Sequence, residues 1–203
     1  MFLETAAAIP ISSQMESFMT TSTNFSLSLL FVFALAVSSQ AQVPEMPKPT
    51  KEHELLAQFA GEWNVTAETV PAPGQDAIKC EGTESAKLMG GFWLVSQGEA
   101  NMMGTPVKSL LTIGYSPAAK KYTGTFVCTM DSMLWKYDGT MDDKGQKLTL
   151  ETEGPSPIDP TKKAKFREIL ELKDKDHKTF TSYMQGDDGQ WLKIVTMEYR
   201  RKK

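Results

Sequence analysis

From Gly61 onward apolar side chains recur at every second position over short stretches, as in Trp63-Val65-Ala67, and turn residues interrupt them about every 10 to 17 positions. A repeat of two is that of a β-strand, whose side chains alternate between faces. The pattern predicts ten strands: 62–70, 77–89, 92–101, 107–115, 122–130, 134–141, 147–153, 165–173, 179–184 and 191–200. Between them stand Pro71-Ala72-Pro73-Gly74, Gly90-Gly91, Ser116-Pro117, Asp142-Asp143-Lys144-Gly145 and Gly186-Asp187-Asp188-Gly189. These supply the fixed φ of Pro or the positive φ of Gly that tight reversals need. Successive strands joined this way form an antiparallel meander, and closure removes its two unpaired edges. The expected fold is therefore all-β, a meander barrel or half-barrel of eight to ten strands.

Ahead of the strands the repeat is helical. Thr50 is placed to cap a short N-terminal helix over 51–59, with Leu55, Leu56 and Phe59 on one face and Gly61 as its stop. Such a helix plugs or flanks one end of the barrel. Several strands are apolar on both faces: along 191–199, Leu192 and Ile194 alternate with Val195 and Met197 instead of with charges. A barrel near ten strands tends to leave interior room. Nine methionines follow residue 41, and flexible thioethers suit either irregular core filling or a lumen that adapts to an apolar guest.

Residues 27–37, LSLLFVFALAV, form an apolar run too short to span a bilayer, which takes about 20 residues. Small residues at Ser39 and Ala41 stand where a signal peptidase needs them. Residues 1–41 are thus expected to be a signal peptide cleaved after Ala41, leaving no stable membrane anchor and an exported, periplasmic or extracellular protein. Met15 and Met19 each offer an alternative start that leaves a compact signal. A Pro-rich linker over 42–50 then leads into a single barrel domain, 51–203.

Composition sharpens this picture. The 203 residues carry a formal charge of −3, and the part after Ala41 holds 22 basic against 23 acidic side chains. Near-neutrality without a basic stripe argues against a nucleic-acid partner. Cys80 and Cys128 both fall in the barrel, and would be either paired by export or buried as free thiols.

Gly61-Glu62-Trp63, following a short helix, resembles the opening signature of lipocalins and the wider calycin group. A longer series resembles one family in particular: Gly90-Gly91-Phe92-Trp93-Leu94-Val95, Met103-Gly104, Gly114-Tyr115-Ser116-Pro117 with Lys121-Tyr122, Asp131-Ser132-Met133, Tyr137-Asp138-Gly139-Thr140, Asp142 with Gly145, Arg167-Glu168 and Glu198-Tyr199-Arg200. In this order they are similar to the bacterial family known as domain of unknown function 1579, over about residues 52–201. The resemblance implies a calycin-like barrel and no activity.

Catalytic chemistry finds no motif. His53-Glu54-Leu55-Leu56-Ala57 misses the zinc-protease helix because Ala57 stands at the second ligand position. His177 falls in the charged turn 173–178, and no Gly-x-Ser-x-Gly elbow exists. The acidic turns lack the spaced oxygens and closing Glu of a calcium loop. No catalytic residue, metal ligand or cofactor is assigned. With neither His in a strand, haem would have to use Met, Tyr or Cys as its axial ligand. Of the acids within or beside strands, Glu62, Glu68, Glu84, Glu99, Asp131, Glu168 and Glu198, a few are candidates for the lumen, as ion pairs with Arg167 or Arg200 or as anchors for a head group.

Three functions fit. The first is an exported carrier or sensor of a small apolar or amphipathic ligand, lined by Trp63, Trp93, Met130, Met133 and Trp135, with Arg167 or Tyr199 meeting a polar group. The second is a cell-envelope interaction or structural domain with a packed barrel. The third is a barrel enzyme using lumenal carboxylates.

Overall fold

The computed structural model describes residues 45–70, 76–159 and 161–203. The signal peptide expected over 1–41 lies outside the described residues, as do positions 42–44 of the linker.

Thr50 is extended and opens α1 (Lys51–Leu56), which tightens into a 3₁₀ turn over Ala57–Phe59. The backbone N–H of Thr50 donates to His53 Nδ1 at 3.0 Å, so the ring serves the helix start. Ten strands follow: β1 (Gly61–Thr69), β2 (Lys79–Met89), β3 (Trp93–Met102), β4 (Thr105–Ser116), β5 (Lys121–Cys128), β6 (Trp135–Met141), β7 (Lys147–Pro155), β8 (Lys163–Asp174), β9 (His177–Gln185) and β10 (Trp191–Arg201). Each pairs antiparallel with its sequence neighbours, and β1 pairs with β10 from Trp63↔Arg201 to Thr69↔Val195. The barrel is closed.

In a meander each reversal changes ends. The helix therefore shares its end with the β2–β3, β4–β5, β6–β7 and β8–β9 turns, while the β3–β4, β5–β6 and β9–β10 turns lie at the opposite rim; the expected turn Pro71-Ala72-Pro73-Gly74 lies outside the described residues. The helix plugs its end. Leu56 and Phe59, fully buried, pack with Leu94, Ile113, Leu148, Leu150 and Leu170 in one cluster, and Tyr122 Oη donates to Glu52 O at 3.0 Å.

The last carbonyls of a helix have no partner within it. Here barrel cations meet them: Lys178 Nζ donates to Phe59 O at 3.1 Å and an Arg201 guanidinium N–H to Ala60 O at 3.0 Å. Trp63, fully buried, lies between these cations, 4.5 Å from Lys178 Nζ and 4.1 Å from the Arg201 guanidinium carbon. Gly61 has φ +142°, and a Cβ there would collide with the Arg201 guanidinium, so the Gly-x-Trp opening has a local cause.

Two details depart from the sequence expectation. His177 opens β9 instead of sitting in the turn, and it bonds Glu198 across the β9–β10 ladder. The two-faced apolarity of β10 comes from a register shift between Lys193 and Val195, which lets Ile194 and Val195 border the same interior space.

Candidate functional site

Towards the open end the side chains thin out and leave a cavity of about 360 Å³. A lobe of about 150 Å³ adjoins it, sharing Glu84, Ser109, Phe126, Cys128, Met130, Met197 and Tyr199 as walls. Leu111, Trp135, Tyr137, Phe166, Leu170 and Phe180 complete the apolar lining of the main chamber. Trp135 meets Phe166 edge-to-face with ring centroids 5.2 Å apart. A Cβ at Gly154 would occupy the place of the Trp135 ring, so that glycine on the neighbouring strand seats the largest wall residue.

Three carboxylates border this apolar space; Asp131 is exposed at its mouth, and the two buried ones are treated differently. Glu84 Oε1 accepts from Lys178 Nζ at 2.6 Å, and Lys178 is only 2% exposed. Burial holds the Lys178 ammonium below the ordinary lysine range, while the Glu84 charge opposes that shift. The lysine also stands 4.8 Å from the Tyr199 ring, so pair and aromatics together form the chamber floor beside the plug.

Glu168, on β8, is 7% exposed. Its Oε1 accepts from Ser182 Oγ at 3.1 Å, and its Oε2 is buried without a hydrogen-bond partner. Burial pushes the carboxyl up to about 7, with the Ser182 bond pulling the other way. Tyr137 and Tyr199 also line the chamber, and burial drives both phenols above the ordinary tyrosine range, with the nearby charges of Glu168 and Glu84 adding to it respectively.

The structure distributes the residues singled out from sequence. Met130, Trp135 and Tyr199 line the chamber. Met133 sits half-buried in the β5–β6 connection, where its N–H donates to Asp131 Oδ1 at 2.8 Å, and it is not part of the wall. Trp63 is buried under the plug. Trp93 is 40% exposed and covers Gly114 from outside. Arg167 also points outward, bonded to Glu151 at 2.7 Å, with its guanidinium 4.1 Å from the centroid of the Trp191 ring. The inward position belongs to its neighbour, because adjacent strand residues face opposite sides.

Glu168, one of seven acids within or beside strands in the sequence, is the one that lines the chamber with a buried, unpartnered oxygen. A signal existed: Phe166, Leu170 and Leu172 share its parity, which makes it the polar member of an apolar stripe. Cys80 and Cys128 are free and both border the smaller lobe. His53 is buried in the plug, edge-on to Phe92 and Tyr115. Among the described residues no group of three His, Cys, Asp or Glu side chains is arranged to hold a metal ion. Nor, among them, is any helix long and apolar enough to cross a membrane.

The family described as protein of unknown function (DUF1579) matches residues 48–201. The chain belongs to this family. The match covers α1 and the whole barrel, so both cavity and plug fall within the family's extent. No curated protein matches the chain. Among solved structures it is similar to Rv2717c from M. tuberculosis, at 12% identity and a TM-score of 0.56, covering 77% of this chain and 100% of that one. It is also similar to the S-type phycobiliprotein lyase CPES from Guillardia theta, at 11% identity and a TM-score of 0.49, covering 74% and 92% of the two chains. A redesigned β-barrel, mFAP1, bound to DFHBI, is similar at 14% identity and a TM-score of 0.39, covering 75% and 100%. The likeness to the mycobacterial protein shows the fold alone, and at the lower TM-scores the other two carry no argument.

Proposed function

We propose that this barrel is an exported carrier or sensor that holds one small amphipathic molecule in its chamber. A single observation carries the reading: an apolar cavity of about 360 Å³ whose wall includes a buried carboxyl group, Glu168, that no cation pairs and whose Oε2 has no hydrogen-bond partner. Ligand sites are typically about 300–1,000 Å³, mostly apolar, with a few convergent polar groups. This chamber sits at the small end of that range. A packed structural barrel has no use for such a void, since cavities and orphaned buried acids both destabilise. A paired-carboxylate enzyme is less well supported, because of the three acids lining the chamber Lys178 engages Glu84 and Asp131 is exposed at the mouth, which leaves Glu168 as the buried acid without an ion-pair partner.

Native mass spectrometry of gently purified protein tests the carrier reading. The expected result is an added mass that is lost on denaturation, and that shrinks in population when Trp135→Ala opens the wall. A preparation that is always ligand-free, and that takes up no apolar probe, would remove it. Export is supported by the 27–37 apolar run followed by Ser39 and Ala41. The intact mass of protein from the exported fraction should correspond to a chain beginning at Gln42.

A further inference from the structure

We infer that the chamber selects an amphipathic amine, whose ammonium group meets the Glu168 carboxylate while its tail lies among Phe126, Met130, Trp135 and Met197. The inference rests on the carrier reading and adds the chemical class of the guest.

The chamber's charges decide the head group. Glu168 is 7% exposed and its Oε2 is free. Lys178, the cation nearest the chamber, is consumed by Glu84 Oε1 and Phe59 O. Arg167 faces outward onto Glu151 and Trp191, and Arg201 is held at Ala60 O beneath the plug. A carboxylate or phosphate head would therefore be buried beside Glu168 with no cation among the described residues that line the chamber, which is strongly unfavourable. A hydroxyl head could donate to the carboxylate but would leave an ionised acid in an apolar chamber. An ammonium both donates and neutralises, and charge-assisted bonds are the stronger kind.

Polar and apolar groups from several strands surround Glu168. Ser182 faces it from β9, Leu150 from β7, Tyr137 from β6 and Tyr199 from β10; Cys128 on β5, Asp131 at the mouth and the Lys178–Glu84 pair complete the ionisable set around the chamber. Both phenols are held neutral. Amine binding should accordingly be strong where Glu168 is ionised and weaken as the pH falls through about 7.

Calorimetric titration of the purified protein with n-octylamine, n-octanol and octanoate, at about pH 8.5 and about pH 5.5 on either side of the carboxyl's titration, tests this. At the higher pH the amine should bind at least about tenfold more tightly than the alcohol, and octanoate most weakly. Glu168→Gln should remove the amine's preference over the alcohol. In the unaltered protein, acidification should weaken only the amine, which gives the same answer without a variant. Octanoate binding as well as the amine, or a Glu168→Gln protein that keeps the amine preference, would overturn the inference. Equal binding of amine and alcohol would overturn the head-group assignment and leave the carrier reading standing. If none of the three binds and native spectra show no guest, the carrier reading itself fails.

Discussion

The two ends of this barrel solve opposite problems. At the helix end, Leu56 and Phe59 fill the lumen, and the carbonyls that the helix cannot satisfy accept from Lys178 and Arg201. The buried cation there has a carboxylate at 2.6 Å and two aromatic faces. At the other end, strands of the same sheet enclose space instead of side chains, and the buried acid there keeps one oxygen unpaired. The rim beyond it carries exposed apolar side chains on successive connections: Met103, Met130, Leu134 and Ile158. One end is built for stability and the other spends some of it, which is the usual relation between a scaffold and its binding site.

If that contrast is right, the same kind of change should have opposite signs at the two ends. The largest effect is expected from Lys178→Ala, which strands Glu84 in an apolar floor. Removing one partner of a buried pair costs about 3–5 kcal/mol, read as a lowered urea midpoint, and Glu84→Gln added to Lys178→Ala should recover a good part of it. A loss no larger than that of a surface ion pair would break the comparison. Next comes Leu56→Ala in the plug, expected to cost about 2–5 kcal/mol in the same measurement, because the cluster around it is closed on all sides.

Glu168→Gln should act the other way. A carboxyl whose folded value, about 7, stands above the ordinary 4.5 favours folding while protonated. That contribution is complete below about 4.5 and is lost as the pH rises through about 7. Above neutrality the ionised acid therefore weighs against the fold, and the neutral amide should stabilise it by an amount of order 2 kcal/mol. Denaturation curves at about pH 8 and about pH 4.5 should show that gain only at the higher pH. A gain of equal size at both would mean that charge is not its cause. The smallest effect is expected at the rim: Met130→Ser should change stability by no more than about 0.5 kcal/mol, yet slow the uptake of n-octylamine in stopped-flow fluorescence. A rim change that unfolds the protein would place the scaffold at both ends.

How much of this was written in the chain depends on the range of the physics involved. The strands were legible because a repeat of two and the Pro and Gly punctuation are local, and they match the ten observed strands to within a few residues. Closure was legible from the meander and its need to hide edges. The chamber wall was harder. Met130, Trp135 and Tyr199 line it, but Trp63, Trp93, Met133 and Arg167 do not. Trp63 serves the plug because two distant cations converge on it, a fact spread over 138 residues of sequence between Trp63 and Arg201. The apolarity of β10 on both faces was legible, but the bulge that accounts for it shows only in the pairing.

Arg167 and Glu168 show most clearly where local pattern stops. Both were visible as polar residues in a strand, and side-chain alternation determined that they must face opposite ways. Which of them faces inward is a matter of register, set by pairing with β7 and β9 and by the closure of the sheet, since a slip of one residue would exchange them. The sequence alone thus determined the elements, their order and the barrel. Tertiary pairing decided that the charge in the chamber is a carboxylate and not a guanidinium, and with it the sign of any head group the chamber can accept.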